Sequence, residues 1–340
     1  MEPYYISIFI LLFMGMTIYK FDVQVTNIMY FIFFLALSIY FGSRYEVGVD
    51  WKNYISAFEF YNYNRGGFSL EIGYKYLNLL SYELGYNIQF VIYVTMFIVF
   101  GVSFYSLSKL HLNAFLFLAI TFPYFIVMGA LNYTRQGVAF SFFLLSIYYL
   151  FTRRKIAFVI SILIGCTFHL SLILFLPLFL NKIKTKYLFL LLIVFVLFFV
   201  YLINYQYSMY LDADFESKGL ILRLVFVILS SFFIFANRKI VYMKDIEERR
   251  VFIFSLYSPL FIIIMSLLST TMADRISYYF ILMSTICCLF ISKDKSCVRY
   301  RRSIPMVLFF CSFSVFIIWS IYSSYVPYYI FNSILFSEVF

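Results

Sequence analysis

Residues 112–130 read LNAFLFLAITFPYFIVMGA, and residues 133–151, which follow almost directly, read YTRQGVAFSFFLLSIYYLF. A helix rises about 1.5 Å per residue, so about 20 apolar residues cross the hydrocarbon core of a bilayer, which is about 30 Å thick. Neither segment alternates apolar and polar residues as the strands of a membrane barrel do. Arg135 carries the only charge in the two segments. The pair therefore predicts two consecutive transmembrane helices.

The whole chain has the composition of a membrane protein. Of its 340 residues, 64% are apolar, 24% are aromatic and 12% are charged, and the mean hydropathy is +0.93. Soluble domains contain about 45–50% apolar and about 25% charged residues. A soluble globule of this composition would expose large apolar patches, which excludes a soluble enzyme, a nucleic-acid-binding protein and a disordered regulator. The net charge of +10 comes from short basic clusters between apolar runs, as in loops that orient membrane helices.

The apolar runs predict an all-α polytopic membrane protein with about 10–11 transmembrane helices, built as one multispan domain over residues 1–340. A further apolar stretch, 156–180, is long and has His169 near its centre, and we predict a re-entrant hairpin broken near that residue. The predicted connections include a large external loop at 43–87 and a smaller one at 205–219. The ten regular spans are predicted at 4–19, 25–42, 88–107, 112–130, 133–151, 187–204, 219–236, 251–271, 275–292 and 304–322.

The distribution of basic residues does not decide whether 156–180 crosses the membrane. If it is a hairpin and Met1 lies outside, 18 of the 26 basic residues lie inside and 8 outside. If it crosses and Met1 lies inside, the two numbers are the same. We prefer the hairpin, because it places the triplet Arg153–Lys155 in the cytoplasm and the loop 43–87 outside. Within that loop, residues 70–82 have apolar residues at helical spacing, which predicts a helix on the membrane surface.

Cysteine and histidine usage predicts neither a metal nor a cofactor. The two histidines have no carboxylate–histidine cluster around them, and the five cysteines lack CxxC spacing. We interpret the cysteines as reduced packing residues. They are Cys166, Cys287, Cys288, Cys297 and Cys311.

Two polar residues in apolar segments need an explanation, because charges in or at the ends of spans are costly and are often functional. Arg135 lies in the first predicted turn of its helix, where the helix dipole already presents partial positive charge. A phosphate gripped by the guanidinium would satisfy both groups. The alternatives are an arginine that reaches to the interface and one paired with a neighbouring acid. His169 is either a helix–helix hydrogen bonder or a base for a sugar hydroxyl.

A second arginine, Arg275, opens another predicted span. Tyr278 and Tyr279 follow it by three and four residues, so the sequence predicts that the arginine and a phenol share one helix face. This arrangement favours a ligand-binding role. The alternative is plain helix capping by Asp274, since aspartate is favoured at helix starts.

The predicted external loop contains further candidates. Arg44, Asp50 and Trp51 follow the second span, and they combine an ion-pairing group, a hydroxyl acceptor and a stacking ring, as a sugar-phosphate site requires. Interfacial anchoring is the alternative for the arginine and the indole. Glu71 and Lys75 are four residues apart, so they are either site residues or a plain ion pair on an exposed helix.

The order of these elements resembles the EpsG/Wzy group of bacterial polysaccharide polymerases. Val49 stands where that group usually has threonine, and Ile72 stands where it usually has proline. The matching elements are RYEVGVD at 44–50 followed by Tyr54, EIGY at 71–74, RQGVA at 135–139, FHLS at 168–171 followed by Pro177, Arg275 with Tyr279, and PY at 327–328.

The resemblance implies a glycosyltransferase of the bacterial inner membrane with a GT-C-like, multispan helical core. Such enzymes transfer a polyprenyl-diphosphate-linked glycan chain to the sugar of a second lipid-linked repeat unit on the external face. They do so without a nucleotide sugar, a metal or another cofactor. By resemblance the catalytic residues are His169, Arg135 and Asp50, and the substrate-binding residues are Arg44, Trp51, Glu71, Gln136, Arg275, Tyr278 and Tyr279.

The partners implied are the lipid-linked oligosaccharide donor and acceptor, membrane lipids, a chain-length regulator and a flippase, and they do not include nucleic acid. Three other classes predict different sequences. A flippase for lipid-linked oligosaccharides predicts internal repeats and charges deep within several spans, whereas the charges here concentrate at span ends. A membrane O-acyltransferase predicts an Arg/His element near the N-terminus, and the first 40 residues contain neither residue type. An inactive membrane component would leave Arg135 and Arg275 without anionic partners.

Overall fold

The computed structural model describes residues 1–65, 69–179, 217, 219–242, 244–294 and 302–335. The predicted span 187–204, most of the predicted loop 205–219 and Cys297 lie outside these residues. Within them, the regular structure is helical apart from one isolated β-bridge between Arg44 and Ser333.

Thirteen α-helices form the described part of the chain. The helix α6 continues without interruption as a π-helix over Pro123–Asn132, and short 3₁₀ segments occur at Ile18–Lys20, Leu170–Phe179 and Val326–Tyr329. The α-helices are α1 Glu2–Thr17, α2 Val23–Gly42, α3 Trp51–Tyr63, α4 Ile72–Glu83, α5 Ile88–Lys109, α6 Ala114–Phe122, α7 Thr134–Phe151, α8 Lys155–Cys166, α9 Leu220–Ala236, α10 Arg238–Tyr242, α11 Ile246–Ser266, α12 Thr270–Lys293 and α13 Ser303–Tyr322.

The fold confirms the prediction of an all-α polytopic membrane protein. Seven helical segments within the described ranges are long and apolar enough to cross a membrane, namely Glu2–Lys20, Val23–Gly42, Ile88–Lys109, Ala114–Asn132, Ile246–Ser266, Thr270–Lys293 and Ser303–Tyr322. Two other predicted spans appear as the helices α7, of 18 residues, and α9, of 17 residues.

Polar side chains cap the starts of several of these helices. Asp22 accepts a hydrogen bond from the backbone N–H of Val25 at 2.8 Å, and Ser269 accepts one from Met272 at 3.3 Å. Each side chain satisfies one of the backbone donors that a helix start leaves without an intrahelical partner. The capping alternative for Asp274 is therefore wrong, because α12 begins at Thr270 and Asp274 lies inside it.

The helix α6 and its π-helical continuation lie at the centre of the bundle. All nine residues of α6 are buried. The π-helix packs closely against the start of α7 at Gly137, where a Cβ atom would lie 2.9 Å from the Cα of Ala130 and the carbonyl of Gly129. A glycine is required here because any side chain would separate the two helices. This contact fixes the first turn of α7, which carries Arg135, against the core.

The break predicted near His169 is present. The helix α8 ends at Cys166, and the 3₁₀ segment begins at Leu170. The segment then runs back along the bundle, since Phe175 packs on Phe143 with 4.6 Å between ring centroids, and Phe143 lies two turns further along α7 than Arg135.

Two contacts between distant parts of the chain define the ends of the bundle. The side chain of Gln136 donates to the carbonyl of Arg275 at 2.9 Å, and Arg153 pairs with Asp245 at 3.0 Å. The starts of α7 and α12 therefore share one end, the Arg135 end, and the α7–α8 and α10–α11 connections share the other, the Arg153 end. If the predicted span 187–204, which lies outside the described residues, crosses the membrane, a full crossing by 156–180 would place the members of each pair on opposite sides. With that span the contacts favour the hairpin.

The helix predicted over 70–82 is α4, and its burial pattern is the reverse of that of a helix on a soluble protein. It buries Asn78 and Ser81 completely and exposes Ile72, Tyr76 and Leu80 by 49%, 66% and 48%. A helix surrounded by water exposes its polar face instead. The pattern agrees with the prediction that this helix lies on the membrane surface.

We predict that the Arg135 end faces the cell exterior, because the basic connections gather at the Arg153 end. A cysteine introduced for Phe60, which is 55% exposed, should react with an impermeant maleimide in intact cells. A cysteine introduced for Asp245 should react only after permeabilisation, and so should one at position 184, which lies outside the described residues. The parent protein is the control for its native cysteines. Labelling of position 184 or 245 in intact cells would contradict the predicted orientation.

Candidate functional site

Glu71 joins two of the predicted site residues. One carboxylate oxygen, Oε2, forms a salt bridge with Nη1 of Arg135, and the other, Oε1, lies 2.7 Å from Nδ1 of His169. The three residues come from the start of α4, the first turn of α7 and the break after α8. The sequence predicts each of them as a site residue, and the structure brings them together at the Arg135 end. We call this group the Glu71 cluster.

Backbone contacts between α4 and the break at 167–169 position the cluster. The N–H groups of Gly73 and Tyr74 donate to the carbonyl of Thr167 at 2.9 and 3.3 Å. The carbonyl that follows α8 thereby satisfies free N–H donors at the start of α4. A Cβ atom on Gly73 would collide with the Thr167 side chain, so only glycine permits this approach. The EIGY element thus packs directly against the start of the FHLS element and the residue that precedes it.

The Glu71 cluster is only partly open to the surface. The side chains of Glu71, His169 and Arg135 are 10%, 21% and 37% exposed. Burial alone would raise the pKa of Glu71, but the hydrogen bond with His169 and the charge of Arg135 outweigh it and lower that pKa below its ordinary value. Glu71 is therefore ionised at neutral pH. The Arg135 guanidinium also lies over the rings of Tyr54 and Tyr74, 5.9 and 5.5 Å from their centroids.

Two sequence-based expectations change here. Glu71 and Lys75 do not form a pair on an exposed helix, since both residues are only 8% exposed and α4 turns its polar face toward the bundle. The pairing of Arg135 with a neighbouring acid, which the sequence left as an alternative, is present. The argument that an inactive component leaves Arg135 without an anionic partner is therefore wrong, because Glu71 supplies the anion.

The segment that follows α2 folds against the turn between the π-helix and α7. The backbone N–H of Asp50 donates to the side chain of Asn132 at 3.2 Å, and the Tyr54 hydroxyl donates to the Asn132 carbonyl at 3.0 Å. Gly48 has a φ of +102°, and a Cβ atom there would lie 2.9 Å from the Leu131 carbonyl. Glycine therefore suits both the backbone conformation and the close approach.

Within this segment, two predicted binding residues are buried. Arg44 is 0% exposed and donates from Nη2 to the Thr134 hydroxyl at 2.7 Å. Trp51 is 5% exposed, and its ring lies 5.6 Å from that of Tyr45. The alternative in which these two side chains act as interfacial anchors is therefore wrong, because neither lies at the surface of the bundle.

A second charged group lies beside the start of α12. Arg223 forms a salt bridge with Asp274, and both side chains are largely buried. The Arg223 guanidinium lies over the ring of Tyr278, 4.6 Å from its centroid. Neither Arg223 nor Asp274 was predicted as a site residue. The sequence contains the feature that would identify Arg223, because this arginine lies in the first turn of α9 just as Arg135 lies in the first turn of α7.

Arg275 and Tyr278 share one neighbour, as expected of an arginine and a phenol on one helix face. The Arg275 guanidinium lies over the ring of Tyr133, 4.1 Å from its centroid. The ring of Tyr278 lies 6.3 Å from that of Tyr133, and it also faces Arg223. Tyr279 has other neighbours, since its hydroxyl lies 3.0 Å from that of Ser171 and its ring packs on Phe143. The carbonyl of Arg275 still connects this region to α7 through Gln136.

Comparison with known proteins identifies one family. The model of the EpsG family matches residues 27–331, which is most of the chain. No curated protein and no solved structure matches the chain. Within the described ranges, no three His, Cys, Asp or Glu side chains lie together so as to hold a metal ion.

We predict that Glu71→Ala destabilises the protein, because it leaves the Arg135 cation without its counter-charge. Breaking a fully buried pair costs about 3–5 kcal/mol, and the cost should be smaller here because Arg135 is 37% exposed. The melting temperature of the purified protein in detergent measures the effect. Removing both partners in Glu71→Ala/Arg135→Ala should lower it by less than the sum of the single changes.

The matched control is Glu83→Ala, which breaks the pair between Arg65 and Glu83 on the surface. Those side chains are 56% and 60% exposed, so this change should leave the melting temperature almost unaltered. Equal effects of Glu71→Ala and Glu83→Ala would show that the Glu71 cluster does not stabilise the fold.

Proposed function

Because the chain belongs to the EpsG family, a family of Wzy-like polysaccharide polymerases, we propose that it is a membrane glycosyltransferase that polymerises lipid-linked repeat units. The donor is a glycan chain on a polyprenyl diphosphate, and the acceptor is the terminal sugar of a second lipid-linked unit. The glycan chain passes to the acceptor, and the polyprenyl diphosphate leaves. The Glu71 cluster is the observation that supports this proposal most directly.

His169 is the proposed base. Its Nδ1 lies 2.7 Å from the ionised Glu71 carboxylate, an arrangement that favours the tautomer with the proton on Nδ1 and a lone pair on Nε2. Among the described residues, Nε2 has no hydrogen-bond partner. As the acceptor hydroxyl oxygen attacks the anomeric carbon of the donor, its proton passes to Nε2 and the bond from that carbon to the diphosphate breaks. Glu71 holds the ring in place and stabilises the imidazolium that forms.

Arg135 is the proposed anchor for the leaving diphosphate. Charge accumulates on the diphosphate oxygens as the glycosidic bond breaks, and a positioned guanidinium stabilises that charge most strongly in the transition state. Glu71 is bound to Nη1 of Arg135, so the planar guanidinium is held in one orientation and its remaining N–H groups are available. Glu71 is thus a positioning residue for both His169 and Arg135.

Three of the other predicted residues are proposed to bind the two substrates. Asp50 is anchored by Asn132 near the start of α7, where its carboxylate could accept sugar hydroxyls during the reaction. Gln136 and Arg275 are joined beside Arg135, which suits contacts to the second lipid-linked unit. Tyr278 and Tyr279 are buried against Arg223 and Ser171, so we propose that they support the binding site from behind and do not contact a substrate themselves.

The cellular setting follows from the same chemistry. Both substrates carry polyprenyl tails that remain in the bilayer, and the Glu71 cluster lies at the end of a bundle of apolar helices. We propose that the protein resides in the bacterial inner membrane with the Arg135 end on the external face. A flippase would deliver the repeat units there, and a chain-length regulator would limit the product.

Deletion of the gene should abolish long polymer while single repeat units persist on the lipid carrier or its final acceptor. The reason is that unit synthesis and export precede the proposed reaction. Gel electrophoresis of the cell-surface polysaccharide measures the length distribution, and a plasmid copy of the wild-type gene is the control. Polymer of normal length in the deletion strain would remove the polymerase assignment.

Arg135→Lys should retain little polymerase activity, because an ammonium lacks the planar fork that holds two phosphate oxygens. Loss of such a contact to a leaving group costs about 10²–10³ in rate. Lysine can still pair with Glu71, so the protein should insert and accumulate normally, whereas Arg135→Ala should lose activity completely. Polymer amount and length at matched protein levels measure both effects.

Arg65→Lys is the matched control, since Arg65 belongs to an exposed pair away from the Glu71 cluster, and it should behave as wild type. An arginine that serves only as an interfacial cation could be replaced by lysine without loss. Near-normal polymer in Arg135→Lys would therefore assign Arg135 to the scaffold.

A further inference from the structure

Arg44 is a buried cation that no carboxylate in the described residues neutralises. It is fully buried, and its single hydrogen bond runs from Nη2 to the Thr134 hydroxyl at 2.7 Å. Its Nε and Nη1 atoms have no hydrogen-bond partner in the part of the chain that the structure describes. Buried charges in proteins are normally paired and hydrogen-bonded. The two unpartnered nitrogens can therefore donate to an acceptor that comes from outside the chain.

Among the described residues, the surroundings of Arg44 offer hydrogen-bond donors and no negative charge. The titratable groups that interact electrostatically with its guanidinium are the phenols of Tyr54, Tyr4 and Tyr74. Tyr4 and Tyr74 are fully buried, and within the described ranges their hydroxyls also have no partner. Burial lowers the pKa of Arg44 to about 10, which still leaves the guanidinium charged at neutral pH. Guanidinium N–H and phenol O–H groups together suit the oxygens of a phosphate.

Arg44 lies next to the Glu71 cluster. Its hydrogen-bond acceptor, Thr134, directly precedes Arg135 in the chain. Tyr74 interacts electrostatically with Arg44, and the centroid of its ring also lies 5.5 Å from the Arg135 guanidinium. The two arginines therefore share Tyr74 as a neighbour, and a diphosphate presents two phosphates to such a pair.

A short C-terminal segment, residues 328–334, lies along the backbone of Arg44. The N–H of Tyr45 donates to the Asn332 carbonyl, and the N–H of Ile334 donates to the Ser43 carbonyl, each at 2.9 Å. The hydroxyls of Ser43 and Ser333 lie 2.6 Å apart.

The backbone pairing is a single β-bridge, and the N–H of Gly48 also donates to the Tyr328 carbonyl at 2.7 Å. The ring of Phe331 stacks on that of Tyr40 with 4.8 Å between centroids. A strand pair this short has little stability of its own, so the aromatic contacts of Phe331 provide most of what holds the segment in place. Separation of the segment must break these contacts, and binding of the diphosphate has to compensate their loss.

We propose that Arg44 binds one phosphate of the substrate diphosphate while Arg135 binds the other, and that residues 328–334 must separate from residues 43–45 to admit it. In this structure the segment is paired with the backbone of residues 43–45. The inference rests on the proposed function, and it adds a phosphate-binding residue and a movable cover to the site.

The first experiment locks the cover. In Ser43→Cys/Ser333→Cys the two sulfur atoms replace hydroxyls that are 2.6 Å apart, so oxidation should join the segments. We expect polymer synthesis in membranes to fall at least tenfold on oxidation and to recover with reductant. The two single-cysteine variants should be insensitive to both treatments. A cross-linked protein that is as active as its reduced form would overturn the proposal.

The second experiment tests the phosphate contact without relying on polymer synthesis. Arg44→Met removes an unpaired buried charge and keeps the length of the side chain, so the melting temperature without ligand should rise. Wild-type protein should be stabilised by inorganic diphosphate or by a polyprenyl diphosphate, and the variant should lose most of that shift. Stabilisation by both probes assigns the site to phosphate in general, and stabilisation by the lipid probe alone assigns it to the lipid-linked substrate.

A structural role for Arg44 gives the opposite result. A lower melting temperature of Arg44→Met without ligand, or a ligand-induced shift equal to that of wild type, would overturn the assignment. Failure of the proposed function is distinguishable, because wild-type protein would then make no polymer while the ligand-induced shifts could still be measured.

Discussion

The contact of Glu71 with Arg135 and His169 is the interaction on which the Arg135 end depends. A cation in the first turn of a helix is opposed by the helix dipole, and a bundle in a membrane has little water to screen it. Glu71 compensates that charge, and its second oxygen orients an imidazole. One carboxylate therefore stabilises the start of α7, connects it to the break after α8, and holds α4 against both. Burial of the polar face of α4 follows from the same contact.

The membrane environment explains why polar chemistry gathers at one end of the bundle. Within the hydrocarbon region the backbone must satisfy its own hydrogen bonds, so irregular structure is confined to places where protein surrounds it. The break at 167–169 meets this condition, because the Thr167 carbonyl accepts from Gly73 and Tyr74. The π-helix ends where Asn132 accepts from Asp50. Each of these interruptions thus ends a helix and also positions a polar side chain, His169 at the first and Asn132 at the second.

Much of the fold could be predicted from the sequence, because apolar runs of about 20 residues have few alternatives in a membrane. The break near His169 was also predictable, and so were Arg135 and Glu71 as polar residues that need a partner. The contact between them was not, since the spacing of Glu71 and Lys75 suggests a local pair and nothing local reveals that α4 buries its polar face. The Arg223–Asp274 pair and the cover over Arg44 join segments far apart in the chain. Such contacts depend on how the helices pack, which a single sequence does not specify.

The wide sequence separation within the Glu71 cluster has a consequence for biogenesis. Glu71 and His169 are 98 residues apart. A ribosome that adds about 5–20 residues per second therefore needs about 5–20 seconds to synthesise one after the other. Throughout that interval α4 can pack on α3, since Tyr74 contacts Tyr54, but the break that carries His169 has not been made. Until then the Glu71 carboxylate has to remain hydrated, and the helices made in between have to enter the membrane before the contact with His169 exists. The order of synthesis thus completes the Glu71 cluster in two steps, with Arg135 made first and His169 last.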